Sequence, residues 1–85
     1  MSDNIPARPP KSFRIVLQLQ RSEKRLDNVL LQALRDQSEN KALQDISRTT
    51  FKGLFTSGKV FIKGQRARPS SALATGTTYV DILGF

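Results

Sequence analysis

Residues Ser47–Arg68, SRTTFKGLFTSGKVFIKGQRAR, decide how the rest of the chain reads. Ser47 suits a helix N-cap, because its hydroxyl can accept from a free amide of the first turn. Phe51, Leu54 and Phe55 recur at i, i+3 and i+4, which gives the helix one apolar stripe and leaves Arg48, Thr49 and Lys52 mostly off it. Gly58 follows the last periodic residue, where a helix commonly stops in the left-handed conformation. Val60 and Ile62 then alternate with Lys59, Phe61 and Lys63, the period of a half-buried strand. Lys63-Gly64 predicts a two-residue turn into a second strand. The stretch carries six basic residues, Arg48, Lys52, Lys59, Lys63, Arg66 and Arg68, and no acidic one. A packed unit with a basic face is the expectation.

Outward from this stretch, Phe13 to Gln20 (FRIVLQLQ) alternates Phe13, Ile15, Leu17 and Leu19 against Arg14, Gln18 and Gln20, and predicts a strand in the same sheet as the C-terminal one. Leu26, Val29, Leu30, Ala33 and Leu34 follow helical spacing, so residues 23–37 are expected to form a helix capped by Ser22, with Asp27 in its first turn. Residues 38–46 are the least readable; Ala42, Leu43 and Ile46 would fit a short helical turn. Pro69 ends regular pairing after Arg68. Leu73 is expected to anchor the loop that follows, Gly76 to sit in a turn, and Thr78 to Leu83 to form the last strand. There Val80 and Ile82 face one way and Tyr79, Asp81 and Leu83 the other. Residues 1–12, with three of the four prolines, read as a flexible N-terminal tail, and residues 13–85 as one domain. The fold class expected is α+β, two helices packed on a small, mainly antiparallel sheet.

Composition bounds the function. Eighty-five residues make one small domain, which buries only about 60% of its unfolded surface. Fourteen Lys and Arg against seven Asp and Glu leave a net charge of +7, which favours a polyanionic partner, chiefly nucleic acid. The absence of Cys and His excludes disulfides, zinc sites built on those ligands, and Cys-His or Ser-His-Asp catalysis. Asp3, Glu23, Asp27, Asp36, Glu39, Asp45 and Asp81 contain no pair placed to share acid-base work. Gly53, Gly58 and Gly64 are explained by helix, cap and turn rather than by a phosphate cradle. No enzyme activity, cofactor or metal is therefore expected. The N-terminal stretch has no apolar run of the signal or membrane-spanning kind, so the expected setting is cytoplasmic, with no membrane partner.

The order of Arg25-Leu26-Asp27 on a helix, Ser47-Arg48, Gly58-x-Val60-x-Ile62, Lys63-Gly64, Arg68-Pro69-Ser70, and Gly76-Thr77 before Tyr79-Val80-Asp81-Ile82 resembles the S-four-like RNA-binding domain (the alpha-L motif), named for a small-subunit ribosomal protein. The resemblance covers roughly residues 24 to 83. Lys63-Gly64 stands where the family has N-G, Gly76-Thr77 stands where it has G-D, and the spacer before Ser47 is several residues longer than usual. The resemblance implies binding to structured RNA, such as ribosomal RNA within a ribosome, or transfer RNA; a monomer is expected.

The candidate RNA-binding residues are Arg25, Arg48, Thr49, Lys52, Lys59, Phe61, Lys63, Arg66 and Arg68. Arg48 places a forked donor beside free helix amides, a combination suited to phosphate. Lys59 and Lys63, taken as sharing a strand face with Phe61 between them, match phosphate contact plus base stacking. Each has a plainer role: solvated lysines, a Phe61 packed on the tail or the sheet, a Thr49 that only caps, an Arg25 that only braces its helix. Arg8 and Lys11 in the tail would add loose contacts at most. Two competing functions fit the same sequence. One is a protein-interaction module using Phe61 and the spacer. The other is a detached accessory domain of a pseudouridine synthase. In some of those enzymes the aspartate of an R-L-D is catalytic, but it belongs to a much larger domain, and Asp27 on this amphipathic helix reads as structural.

Overall fold

The computed structural model describes residues 9–85. In chain order these form β1 (Ser12–Leu19), α1 (Leu26–Asp36), α2 (Lys41–Gln44), α3 (Arg48–Thr56), β2 (Val60–Ile62), β3 (Gln65–Arg66) and β4 (Gly76–Leu83). The architecture is α+β: three helices and one antiparallel sheet of order β1-β4-β2-β3. Of these, α2 is a single turn inside the spacer. Asn40 starts it by accepting from the Leu43 amide, and it buries Leu43.

Alternation fixes what each strand contributes. In β1 and β4 the cross-strand pairs Phe13–Ile82, Ile15–Val80 and Leu17–Thr78 lie on one face, because successive side chains alternate. Val60–Ile82 and Ile62–Val80 extend that face into β2. The helices cover it: Leu26, Leu30 and Leu34 of α1 are fully buried, with Phe51, Leu54 and Phe55 of α3 nearly so. Burying a side chain of this kind contributes about 1.5–3 kcal/mol. The Phe51 and Phe55 rings meet edge to face at 5.3 Å between centroids, a favourable quadrupole geometry.

The ends of the elements show where sequence and structure part. α3 starts as expected, with the Ser47 hydroxyl accepting from the Thr50 amide at 3.1 Å. α1 starts at Leu26 and not at residue 23, and Arg25, not Ser22, holds the N-cap position without a side-chain cap bond. The reason is a two-way backbone bridge in which Glu23 and Leu73 exchange amide hydrogen bonds of 2.9 and 2.8 Å. That bridge holds the chain extended just where the helix was expected to begin, and it buries Leu73 as the anchor of its loop. Lys63 and Gly64 both have positive φ, 53° and 77°, the two-residue turn that suits a twisted hairpin. β1 begins at Ser12, inside the span expected as a tail over residues 1–12; residues 1–8 lie outside those described.

The outward face of the sheet carries Tyr79 and Asp81 as alternation predicts, and adds an ion pair that alternation alone does not give. Arg14 grips Asp81 with two parallel hydrogen bonds, Nε to Oδ1 at 2.7 Å and Nη2 to Oδ2 at 2.9 Å. The same guanidinium lies over Tyr79, 5.4 Å from its ring centroid. Asp81 is thereby 1% exposed, although it alternates with core residues and faces away from the helices. Donating to the Asp81 carboxylate also raises the pKa of Arg14.

Candidate nucleic-acid interface

The start of α3 is built to leave charge exposed. Ser47 satisfies the Thr50 amide, and the amides of Arg48 and Thr49 have no acceptor among the described residues. Arg48, Thr49 and Lys52 are all exposed. Arg48 and Lys52, one turn apart, fall on one side of the helix. Neither has a carboxylate within salt-bridge distance among the described residues. The partial positive charge of a helix N-terminus adds to theirs.

This corner continues onto α1. Arg48 lines a groove with Asn28, Leu31, Gln32 and Arg35. Asn28 also lines the adjoining groove that holds Arg21, Lys24 and Arg25. The expected Arg25 is therefore linked to Arg48 across the polar side of α1. Asn28 and Arg35 were not among the sequence candidates. A signal for them existed, since Arg25, Asn28, Gln32 and Arg35 recur at three- and four-residue steps opposite the apolar stripe. Arg25 is not a free cation. It holds Asp27 by two bonds of 3.1 Å, and that guanidinium, with help from the Asn28 amide, lowers the Asp27 carboxyl below its ordinary value. Arg35 donates to the Gln44 carbonyl at 2.6 Å and so ties α1 to the end of α2.

The other candidates divide. Lys59 and Lys63 do not share a strand face, because β2 spans only Val60–Ile62. Lys59 precedes it and stands near Gly84, while Lys63 occupies the hairpin turn. The lysines therefore sit at opposite ends of β2. Phe61 between them is half-buried on the outward face, paired in register with Arg66 on one side and Asp81 on the other. Arg66 donates from Nη2 to the Thr56 carbonyl at 3.0 Å and to the Phe55 carbonyl at 3.4 Å. It neutralises the carbonyl end of α3. Its guanidinium lies 3.1 Å from where a side chain on Gly58 would begin, so glycine there serves both its positive φ of 72° and that contact. Arg66 and the exposed Arg68 line one groove with Phe55, Thr56, Ala67 and Pro69.

No family model, curated protein or solved structure matches the chain. Among the described residues no helix is long and apolar enough to cross a membrane.

Proposed function

We propose that this protein binds structured RNA of the ribosomal or transfer type, with phosphates held at the corner between α1 and the start of α3. The observation that carries the reading is Arg48: exposed, without a carboxylate partner among the described residues, beside two unused helix amides, and joined to Lys52, Arg35 and Arg25 on one surface. Fixed amides plus a forked cation suit phosphate, and a cluster of them suits a folded backbone more than a lone anion. Lys59, Lys63 and Arg68 provide further cations at the far ends of β2 and β3. The resemblance of the motif order to S-four-like domains supports the same partner. Arg66 acts chiefly as a helix brace in this reading.

A salt titration tests it. With about four phosphate contacts on unpaired nucleotides, the log of the binding constant falls against log salt with a slope near −3, since each contact contributes roughly −0.7. A slope near zero removes the proposal.

A further inference from the structure

The two edges of the sheet are protected very differently. β3, at one edge, is two residues long, is braced by Arg66, and runs into Pro69 three residues later. Short edges, charge and proline are the devices that keep strands from pairing with strangers. β1, at the other edge, is eight residues long, and its eight pairs with β4 run without a bulge. It contains no Pro and no Lys, and its one charge, Arg14, is bound by Asp81. Among the described residues nothing pairs with its outer side. Beside that side runs a groove lined by Leu19 and Val16 of β1 and by Val29, Ala33, Gln32 and Asp36 of α1. Val16 is 44% exposed, the one large apolar side chain so open among the described residues.

We propose that β1 pairs antiparallel with β1 of a second copy of this chain, forming a twofold dimer with a continuous sheet of eight strands. Alternation restricts the register. Directly opposed residues in an antiparallel pair share a face, so helix-side residues must meet helix-side residues. A dyad at Val16 satisfies this but sets Lys11 against Arg21 of the other copy. A dyad at Ile15 also satisfies it and sets Lys11 against Leu19, whose groove holds Asp36. The second register brings opposite charges together at both ends of the pair. Asp36 has reason to accept a cation: it lies in the last turn of α1, where the helix dipole disfavours a carboxylate, and its hydrogen bond is from the neutral Gln32 amide at 3.0 Å. Within one chain Lys11 cannot serve, because β1 separates it from Leu19 by roughly 25 Å. The dimer leaves each basic β2–β3 hairpin at an outer end of the joined sheet, and it replaces the monomer expected from the sequence. It does not rest on the RNA reading.

Sedimentation of the nuclease-treated full chain near 0.15 M salt, where charges beyond about 8 Å are screened, tests the proposal over micromolar to millimolar concentrations. The expected result is a monomer–dimer equilibrium. Val16→Lys, at a site 44% exposed, should weaken it by about tenfold, because it puts a charge on the pairing edge and sets the two new ammonium groups diagonally across the dyad. Lys11→Glu and Asp36→Lys should each weaken self-association. An equimolar mixture of those two variants should dimerise again, because only the mixed pair places unlike charges at both ends. A full chain that stays monomeric overturns the proposal, as does a dimer indifferent to Val16→Lys, or a mixture no tighter than its components. If the full chain is monomeric and a chain starting at Pro9 dimerises, the chain's own first eight residues occupy the edge, and the proposal falls equally.

Discussion

Two arginines divide the molecule. Arg14, in the β1–β4 half, lies in eight unbroken strand pairs and has its charge met by a carboxylate that is itself buried. Arg48, at the start of α3, belongs to a half with a three-residue strand, a two-residue strand and a run of exposed cations that meet no carboxylate among the described residues. The same residue type thus serves opposite ends. A guanidinium whose donors are taken up by a buried carboxylate holds strands together and offers little to a ligand. One beside free amides adds little to the fold and keeps its donors for an anion. In the proposed reading the difference separates stability from RNA binding across one small chain, and substitutions in each half should reveal it.

The largest effect is expected where the halves meet, in the shared core. Leu54→Ala removes a side chain that is 4% exposed and should cost about 2–5 kcal/mol in a denaturant titration. Such a loss is a large share of the stability of a domain this size. An unchanged midpoint would mean that α3 does not seal the sheet.

Asp81→Asn probes the β1–β4 half. It keeps shape but removes the charge facing Arg14, whose side chain is only 14% exposed. A loss of about 2–4 kcal/mol is expected, because a largely buried guanidinium is left without its counter-ion. RNA affinity, measured where the variant is still folded, should not change.

Lys63→Asn sharpens the comparison from the other half. Lys63 holds φ 53°, a conformation asparagine tolerates better in this turn type. Stability should rise by about 0.5 kcal/mol, while RNA binding weakens by the loss of one cation, with the salt slope shallower by roughly 0.7. Stability and binding moving together would break the separation.

The smallest effect concerns Asp27. Arg25 depresses its carboxyl pKa below the ordinary 3.8, so the pair stabilises the folded state fully above that value. The contribution is lost as pH falls through the depressed folded value. Both side chains are partly solvated, at 54% and 23% exposure, so solvent screening keeps the contribution small. Acid melting of Asp27→Asn and the parent should differ slightly above pH 3.8 and converge only as pH falls through the depressed folded value.

Much of the fold is legible in the sequence because short-range chemistry sets it. Ser47 caps, Phe51, Leu54 and Phe55 make a stripe, Lys63-Gly64 turns, and Ile15 and Leu17 alternate; each acts over a few residues. What is not legible depends on residues distant in sequence. Alternation puts Asp81 on the face away from the core, but its burial and its partner follow only from the register that sets Arg14 opposite it, 67 residues away along the chain. Ser22 reads as a cap until Leu73 pairs with Glu23 and draws the strand past it. The candidate site divides in the same way. Arg48, Thr49 and Lys52 follow from one helix and remain exposed. The lysine pair on β2 fails because the strand ends before its period can carry to Lys63, and Arg66 is drawn to the carbonyl end of α3 by contacts ten and eleven residues back.

Arg14→Gln and Arg48→Gln, each removing one positive charge, test the separation most directly when thermal melting and affinity for one structured RNA are measured at one salt concentration. Arg14→Gln should lower the melting temperature by several degrees and leave affinity unchanged, while Arg48→Gln should weaken binding several-fold and leave melting unchanged. Equal losses of affinity from the two variants would contradict it, because attraction would then follow total charge and not the corner at Arg48.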